Sequence, residues 1–368
     1  MTSHCTVTSI RCPPRDAKMQ NSKALNDLLE ATARSFYLTL RVLPARVRPQ
    51  IGLAYLLART TDTIADTGII PLAQRLDALQ KLRDRMLGQS AAPLNFGEFA
   101  QQQGSPAEKL LLEKVESSLA LLPTLSPEDL KLVREVLVNI TSGQKLDLLR
   151  FEHLGATASR PDDQKILALE TAEELDDYIY RVAGGVGEFW SKICRAHLFP
   201  KARLDEKAFI ADGIRFGKGL QMVNILRDLP QDLKNGRCYL PRQRLIRFGL
   251  LPETLLAPEN EKKFLPLFRE YLDLAEAHLA AGWRYTNTLP FGQVRVRLAC
   301  AWPILIGVRT LARLRVANVA ELQQHVKVPR EEVRKIFFRS VLCCPLAPAW
   351  RKLYSPPRNA VASGGDLA

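Results

Sequence analysis

Apolar residues recur every three to four positions along nearly the whole chain, and alternating stretches are nearly absent. That period predicts helices. Ser22–Leu43 reads as a helix or helix pair ended by Pro44, and Val47–Asp66 follows, stopped at Thr67-Gly68. Pro71–Leu87 carries proline in its first turn and meets Gly88 at its end, as helix ends favour. Glu108–Leu121 and Pro127–Phe151 are amphipathic. The second opens on Ser126-Pro127-Glu128-Asp129, an N-cap followed by first-turn acids. Thr171–His197 opens on Thr171-Ala172-Glu173-Glu174, the pattern of a capping box. Lys207–Lys234, Glu261–Thr286 and Val294–Val316 are long, and Pro329–Leu342 is shorter. The expected fold class is all-α. No repeat and no long linker divides it, so one large helical domain is expected over 22–345. A flexible arm (1–21) and a Pro/Gly/Ser-rich tail (346–368) flank it.

Composition narrows the setting. The 368 residues are 46% hydrophobic, enough for a substantial core. No run of apolar residues is long enough for a transmembrane helix, and the first residues lack a secretory apolar segment. The seven cysteines form no CxxC pair and are odd in number, which argues against a disulfide framework and fits a reducing cytoplasm. The five histidines form no HxxxH, so a histidine metal site is not expected. The net charge of +13 suits nucleic acid, an anionic membrane surface or a phosphorylated substrate. Basic clusters occur at Arg295/Arg297, Arg309/Arg313/Arg315 and Arg330/Arg334/Lys335, with no nucleic-acid motif beside them. Nucleic-acid binding is therefore not expected, whereas peripheral contact with a membrane is compatible. Monomer and homodimer both remain open.

Two stretches carry chemistry. In Leu57–Asp66, Asp62 and Asp66 stand four apart on one helix face, where like charges repel. In Gln221–Pro241, Asn224, Asp228 and Asp232 share the same spacing among Met222, Val223, Ile225, Leu226 and Leu229. A largely buried helix with acids on it needs partners for them. Two facing oxygen-rich helices would hold Mg²⁺, which completes its shell with water and phosphate. That pairing fits a diphosphate substrate, whose departure the metal assists. Arg59, Lys218, Arg227 and Arg237 lie in or beside these stretches as further cations for the same oxygens.

With these motifs in order, the chain resembles the squalene and phytoene synthases, the head-to-head prenyl diphosphate synthases, over about residues 25–320. Arg34-Ser35-Phe36 resembles the family's "RSF" element, and Tyr55, Arg59, Asp62 and Asp66 its "Y…R…DxxxD". Gly143 and Asp147 resemble "GM..D", Val182–Gly187 resembles "VAGxVG", and Gln221–Pro241 resembles "Q..NILRD…D….R.YLP". The resemblance implies an all-α isoprenoid-synthase fold with a central cavity and an Mg²⁺-dependent prenyltransferase. It implies Asp62, Asp66, Asn224, Asp228 and Asp232 as metal ligands, and Tyr55, Arg59 and Tyr180 as catalytic groups. Arg34, Ser35, Phe36, Lys145, Arg181, Gln221, Asn224, Arg227, Arg237 and Tyr239 would bind the prenyl diphosphate. Phe36, Tyr55, Phe189 and Trp190 are aromatic candidates for facing a carbocation.

Two positions depart from the family pattern. Arg181 stands where squalene synthases carry tyrosine before "VAG", and Lys145 stands where "GM..D" has methionine. Leu298–Leu311 resembles a C-terminal squalene synthase helix. The implied reaction is therefore condensation of two farnesyl diphosphates through presqualene diphosphate to squalene, with NADPH as reductant. The alternatives are phytoene or dehydrosqualene formation without reduction, and a non-catalytic prenyl-lipid-binding member. Gly184-Gly185-Val186-Gly187 has no strand before it, so a Rossmann dinucleotide site is not expected.

Overall fold

The computed structural model describes residues 26–32, 37–151, 166–324 and 326–354. Helices α1 (26–32) and α2 (Tyr37–Val42) lead into α3 (Arg48–Asp66) and α4 (Leu72–Leu87). The short α5 (Gly97–Gln101), α6 (Pro106–Glu113) and α7 (Val115–Leu119) precede the long α8 (Pro127–Phe151). Strand β1 (Leu167–Ala168), α9 (Ala172–Ile179), a π turn at Tyr180–Gly184 and α10 (Gly185–Leu198) follow. Next come α11 (Glu206–Lys234), β2 (Arg237–Cys238), α12 (Arg242–Arg247), α13 (Glu261–Thr288) and α14 (Val294–Val316). The last helices are α15 (Val319–Leu322), α16 (Arg330–Cys343) and α17 (Ala347–Arg351). The class is all-α, as the periodicity predicts, and no described helix is long and apolar enough to cross a membrane.

The apolar faces gather into two cores. One holds Leu53, Leu57 and Ile64 of α3, Leu82 of α4 and Leu137 of α8. The other holds Phe264, Phe268, Leu279 and Tyr285 of α13 and Val308 of α14, with α11 packed most extensively on α13. Trp190 of α10 packs against both, so α10 forms the seam between them. Within the first core α3 and α8 run in the same direction. Gln50 donates to Asp129 (2.9 Å) near their starts, and Gln144 donates to Asp62 near their ends.

Across the seam, α11 meets the π turn and α10 backbone to backbone. A Cβ on Gly187 would run into the carbonyl of Gly213, and one on Gly217 into the carbonyl of Ala183. Only glycine allows that approach. The run Gly184–Gly187 is therefore consumed in helix packing, as its lack of a preceding strand suggests.

Four expectations are corrected. The helix expected over Glu108–Leu121 breaks at Lys114 into α6 and α7. The helix expected over Thr171–His197 is interrupted by the π turn. Thr171 caps it by accepting from Glu174 N (3.3 Å), but the Glu174 carboxylate reaches back to Glu170 N (2.8 Å), one residue before the cap. The tail expected from 346 is ordered as far as 354. Trp350 is 1% exposed, stacks on Trp283 (5.3 Å between centroids) and donates its indole N–H to Asn287 (3.0 Å). Burial of so large a ring offsets much of the entropy of ordering one short turn. The arm 1–21, the triplet Arg34-Ser35-Phe36 and the end of the tail (355–368) lie outside the described residues.

Candidate active site

Where the two cores meet lies a cleft of about 480 Å³. Helices α3, α8, α9, α10 and α11 contribute faces to it, and helical phase decides which side chains take part. From α3 come Ile51, Ala54, Tyr55, Ala58, Asp62, Ala65 and Asp66; from α8 come Val136, Ile140, Gln144, Asp147 and Leu148. From α11 come Gln221, Asn224, Ile225, Asp228 and Asp232. Tyr178 of α9 continues into Val182, Val186, Phe189 and Trp190. All these sets follow steps of three and four.

Arg237 and Tyr239 complete the lining. They are placed by the parallel pairing of β1 with β2, in which Leu167 N donates to Gly236 O (2.9 Å) and Leu169 N to Cys238 O (3.0 Å). Residues two apart on a strand share a side. Arg237 and Tyr239 thus face the cleft, while Cys238 between them is fully buried.

The cleft changes character along its length. On α3 and on α8 most apolar members come first and the carboxylates lie toward the end, beside Ala65 and Leu148. Ile51 and Asp62, like Val136 and Asp147, are eleven residues apart, or roughly 16 Å along a helix axis. Because the two helices run parallel, their polar ends coincide.

At the polar end the acids are crowded. Asp62 accepts from Gln144 and lies 3.8 Å from Arg59, which also reaches Glu108 (2.9 Å). Asp147 accepts from the Tyr239 hydroxyl (2.9 Å) and lies 3.5 Å from Arg237. Asp228 accepts from its neighbour Arg227 (2.8 Å from Nε). Tyr239 stacks on Tyr178 (4.8 Å) and meets Phe151 edge-on (5.3 Å), which fixes its hydroxyl.

These cations do not fully neutralise the acids. Loss of surrounding water, then the like charge of Asp66, pushes the Asp62 carboxyl up to about 6, although 44% of its side chain still meets solvent through the open cleft. Burial first, then Asp228, pushes Asp232 up to about 7. Burial also raises Asp147 to about 6, against the pull of Arg237, and raises Asp66. Among the described residues no three acidic, His or Cys side chains converge into a metal cage. Facing carboxylates with excess negative charge fit a hard cation whose shell is completed by water and phosphate oxygens rather than by protein alone.

Of the residues proposed from the sequence, Tyr55, Asp62, Asp66, Gln221, Asn224, Asp228, Asp232, Arg237 and Tyr239 line the cleft. Arg59 sits behind Asp62 as its ion-pair partner. Four further positions lie outside the cleft lining. Tyr180 turns away: its hydroxyl donates to Glu188 (3.0 Å) and it lines a second cavity of about 710 Å³. Two residues on a helix subtend about 200°, so Tyr180 cannot share the face of Tyr178 and Val182. Arg181 is held by Asp177 (2.7 Å) and Ser142 (3.0 Å), outside the lining. Lys145, one position off the face of Gln144, is exposed. Arg227 is one position off the face of Asp228 and is turned onto it. Gln144 also lines the cleft, as do Asp147, which the "GM..D" resemblance singles out, and Tyr178, the tyrosine candidate beside Tyr180. The α8 face step from Gln144 to Asp147 and the phase of Tyr178 with Val182 were the available signals.

The cleft is walled mainly by helices, with a carboxylate-rich end and a largely apolar end. The family model described as squalene/phytoene synthase matches residues 29–332, and the chain belongs to that family. It is 26% identical over 325 residues to the squalene synthase of Schizosaccharomyces pombe, covering 88% of this chain and 65% of that one. It is 28% identical over 252 residues to the 15-cis-phytoene synthase of Synechocystis sp., covering 66% and 62%. The chain thus spans just under two thirds of the length of these relatives. A solved structure of TcSQS with the ligand E5700 superposes with a TM-score of 0.71 at 20% identity, covering 91% of this chain and 90% of that one. A dehydrosqualene synthase complex superposes with a TM-score of 0.56 at 19% identity, covering 93% and 100%.

Proposed function

We propose that the chain condenses two farnesyl diphosphates head to head, through a cyclopropyl diphosphate, to squalene, with Mg²⁺ as its metal and NADPH as the source of the final hydride. The sorting of the cleft wall carries the reading. Its acids and Arg237 suit a diphosphate, and its wall from Ile51 and Val136 to Phe189 suits hydrocarbon chains. Asp62, Asp66, Asp228 and Asp232, with Asn224, would hold the magnesium. When bound, the cation neutralises charge on the departing diphosphate.

The chain's own groups do the rest. Arg237, beside Asp147 and Asp66, offers the diphosphate a fixed cation. Gln144 holds the Asp62 carboxylate in one orientation. Tyr55, Tyr178, Phe189 and Trp190 present aromatic faces to a carbocation. The apolar end keeps water from quenching it. Gly184–Gly187 is taken up in helix packing and forms no dinucleotide cradle.

The closer kinship in length of match is with squalene synthases, 325 residues against 252 for the phytoene synthase. The second reading is dehydrosqualene or phytoene synthesis, favoured by the slightly higher identity to the phytoene synthase. Purified protein with Mg²⁺ and farnesyl diphosphate, with and without NADPH, separates the two. Squalene formed only with NADPH supports the first. Dehydrosqualene regardless of NADPH, or phytoene from geranylgeranyl diphosphate, supports the second. Failure to release diphosphate from either substrate overturns both and leaves prenyl-lipid binding.

A further inference from the structure

Asp66 is the last residue of α3, so its place depends on how that helix ends. The last four carbonyls of a helix have no partner within it. Here the carbonyl of Thr63 accepts from the Thr67 hydroxyl (2.6 Å), that of Ile64 from Thr67 N (3.4 Å) and that of Asp66 from Gly68 N (2.9 Å). The carbonyl of Ala65 accepts from the guanidinium of Arg75 on α4 (2.8 Å). The same guanidinium donates through Nε to the carbonyl of Ile70 (2.9 Å), on the far side of the turn. Gln103 holds that turn from elsewhere, donating to the Thr67 hydroxyl (2.8 Å). The next helix ends differently: α4 stops on Gly88 in the left-handed conformation (φ 74°). Gly68 has no positive φ, so α3 lacks that cap and the arginine takes its place.

Arg75 is 3% exposed, and its charge lies near the start of α4, where it opposes that helix's dipole. Burying a cation there is unfavourable unless another element gains by it. The element that gains is α3, whose dipole puts partial negative charge at the end that carries Asp62 and Asp66. Burial raises the Asp66 carboxyl, and Arg237, Arg59 and Arg75 oppose the rise. Asp66 lines the cleft and Arg75 does not. Arg75 therefore acts through the backbone that carries Asp66. One planar fork bridges carbonyls five residues apart, which the single ammonium of a lysine does not reproduce.

We propose that Arg75 is a positioning residue, which sets the last turn of α3 so that Asp66 shares a cation with Asp62. The proposal rests on the reading of Asp66 as a magnesium ligand. The test is calorimetric titration of Mg²⁺ into the full chain with inorganic diphosphate present, with circular dichroism on each variant. Asp66→Asn checks the reading itself, and is expected to weaken Mg²⁺ binding by about tenfold or more. An alanine at 75 would leave a cavity, so the test variant is Arg75→Lys, which keeps the charge and loses the fork. It is expected to weaken Mg²⁺ binding by about fivefold at unchanged helicity. Arg75→Lys combined with Asp66→Asn is expected to bind no more weakly than Asp66→Asn alone, because the two residues act as one. At saturating Mg²⁺ the kcat for diphosphate release by Arg75→Lys is expected to return to within about threefold of wild type, a split that a damaged fold would not give. Arg134 is the control. It too donates Nε to a carbonyl at a helix end, that of Met86 (3.1 Å), but there Gly88 already caps the helix. Arg134→Lys is expected to leave Mg²⁺ binding unchanged. Wild-type affinity in Arg75→Lys overturns the proposal and leaves Asp66 a ligand. A loss that adds to that of Asp66→Asn also overturns it, since Arg75 would then act elsewhere. Equal binding by wild type and Asp66→Asn removes Asp66 from the metal site and the proposal with it.

Discussion

Gln144 on α8 donates its side-chain amide to the Asp62 carboxylate on α3, and this one bond ties together the polar ends of two parallel helices. Asp62→Asn keeps an oxygen for Gln144 to donate to but removes the negative charge. Helicity is expected to be unchanged, while diphosphate release from farnesyl diphosphate falls by at least about a hundredfold. Asp228→Asn on the facing helix is expected to do the same. Near-normal release by either variant, measured with saturating Mg²⁺, would remove these acids from the metal site.

The lining acids were legible in the sequence because helical spacing is local. The i, i+4 steps of Asp62/Asp66 and Asp228/Asp232 needed only the pitch of a helix to be placed on one face. Residues expected in the site fall outside the lining where helical phase or a nearer partner turns them away. Tyr180 is the same residue type as Tyr178, yet two residues of helix turn it to the far side. Arg227 and Arg181 look like substrate clamps in the sequence, but the fold turns them onto Asp228 and Asp177. Arg237 and Tyr239 owe their position to a two-residue parallel pairing with Leu167 and Ala168, some seventy residues earlier. No local pattern announces so short a strand. Trp350 likewise docks through a stack on Trp283 that lies far away in sequence.

The two tyrosines give a direct contrast. Tyr178 lines the cleft and stacks on Tyr239, whose hydroxyl holds Asp147. Burial keeps the Tyr178 hydroxyl protonated far above neutral pH. On the proposed reading it would donate a hydrogen bond to a diphosphate or intermediate and would not serve as a base at pH 7. Tyr178→Phe retains the stack and is expected to lower kcat by about tenfold or more. Tyr180→Phe, which loses only the bond to Glu188, is expected to stay within about twofold of wild type. Steady-state kinetics on both variants decide it. The reverse ranking would restore Tyr180 to the site.

His278 gives the fold a titratable contribution away from the cleft. It lies on α13, where the Cβ of an added side chain at Gly219 of α11 would meet it at 3.0 Å. Burial first, then the charges of Arg215 and Lys218, lowers its pKa to about 4, with Asp176 opposing. In the unfolded chain the value is about 6.5. The folded state therefore favours neutral imidazole. Its contribution is fully present above about pH 6.5 and is lost as pH falls toward 4, by at most about 3 kcal/mol. His278→Asn is expected to flatten the fall in urea midpoint between about pH 7 and pH 5. An identical fall in both proteins would place the acid sensitivity elsewhere.

Val136 and Phe189 line both the 480 Å³ cleft and the 710 Å³ second cavity, so these two side chains form the wall between them. Phe189 is 4% exposed and sits among the aromatic and aliphatic residues of the cleft's apolar side. On the prenyl-synthase reading, this wall limits how far a hydrocarbon chain extends. Phe189→Ala would open the cleft into the second cavity, whose rim includes Leu130, Leu132 and Val138. The substitution removes a buried ring and costs about 3–5 kcal/mol of stability, so assays belong well below the melting temperature. Its signature is a change in preference rather than a loss. The ratio of kcat/KM for geranylgeranyl to farnesyl diphosphate is expected to rise by about tenfold, because each buried methylene contributes about 0.8 kcal/mol. Competition between the two substrates in one reaction measures that ratio directly. An equal fall for both substrates would mean that Phe189 supports the fold without gauging the chain.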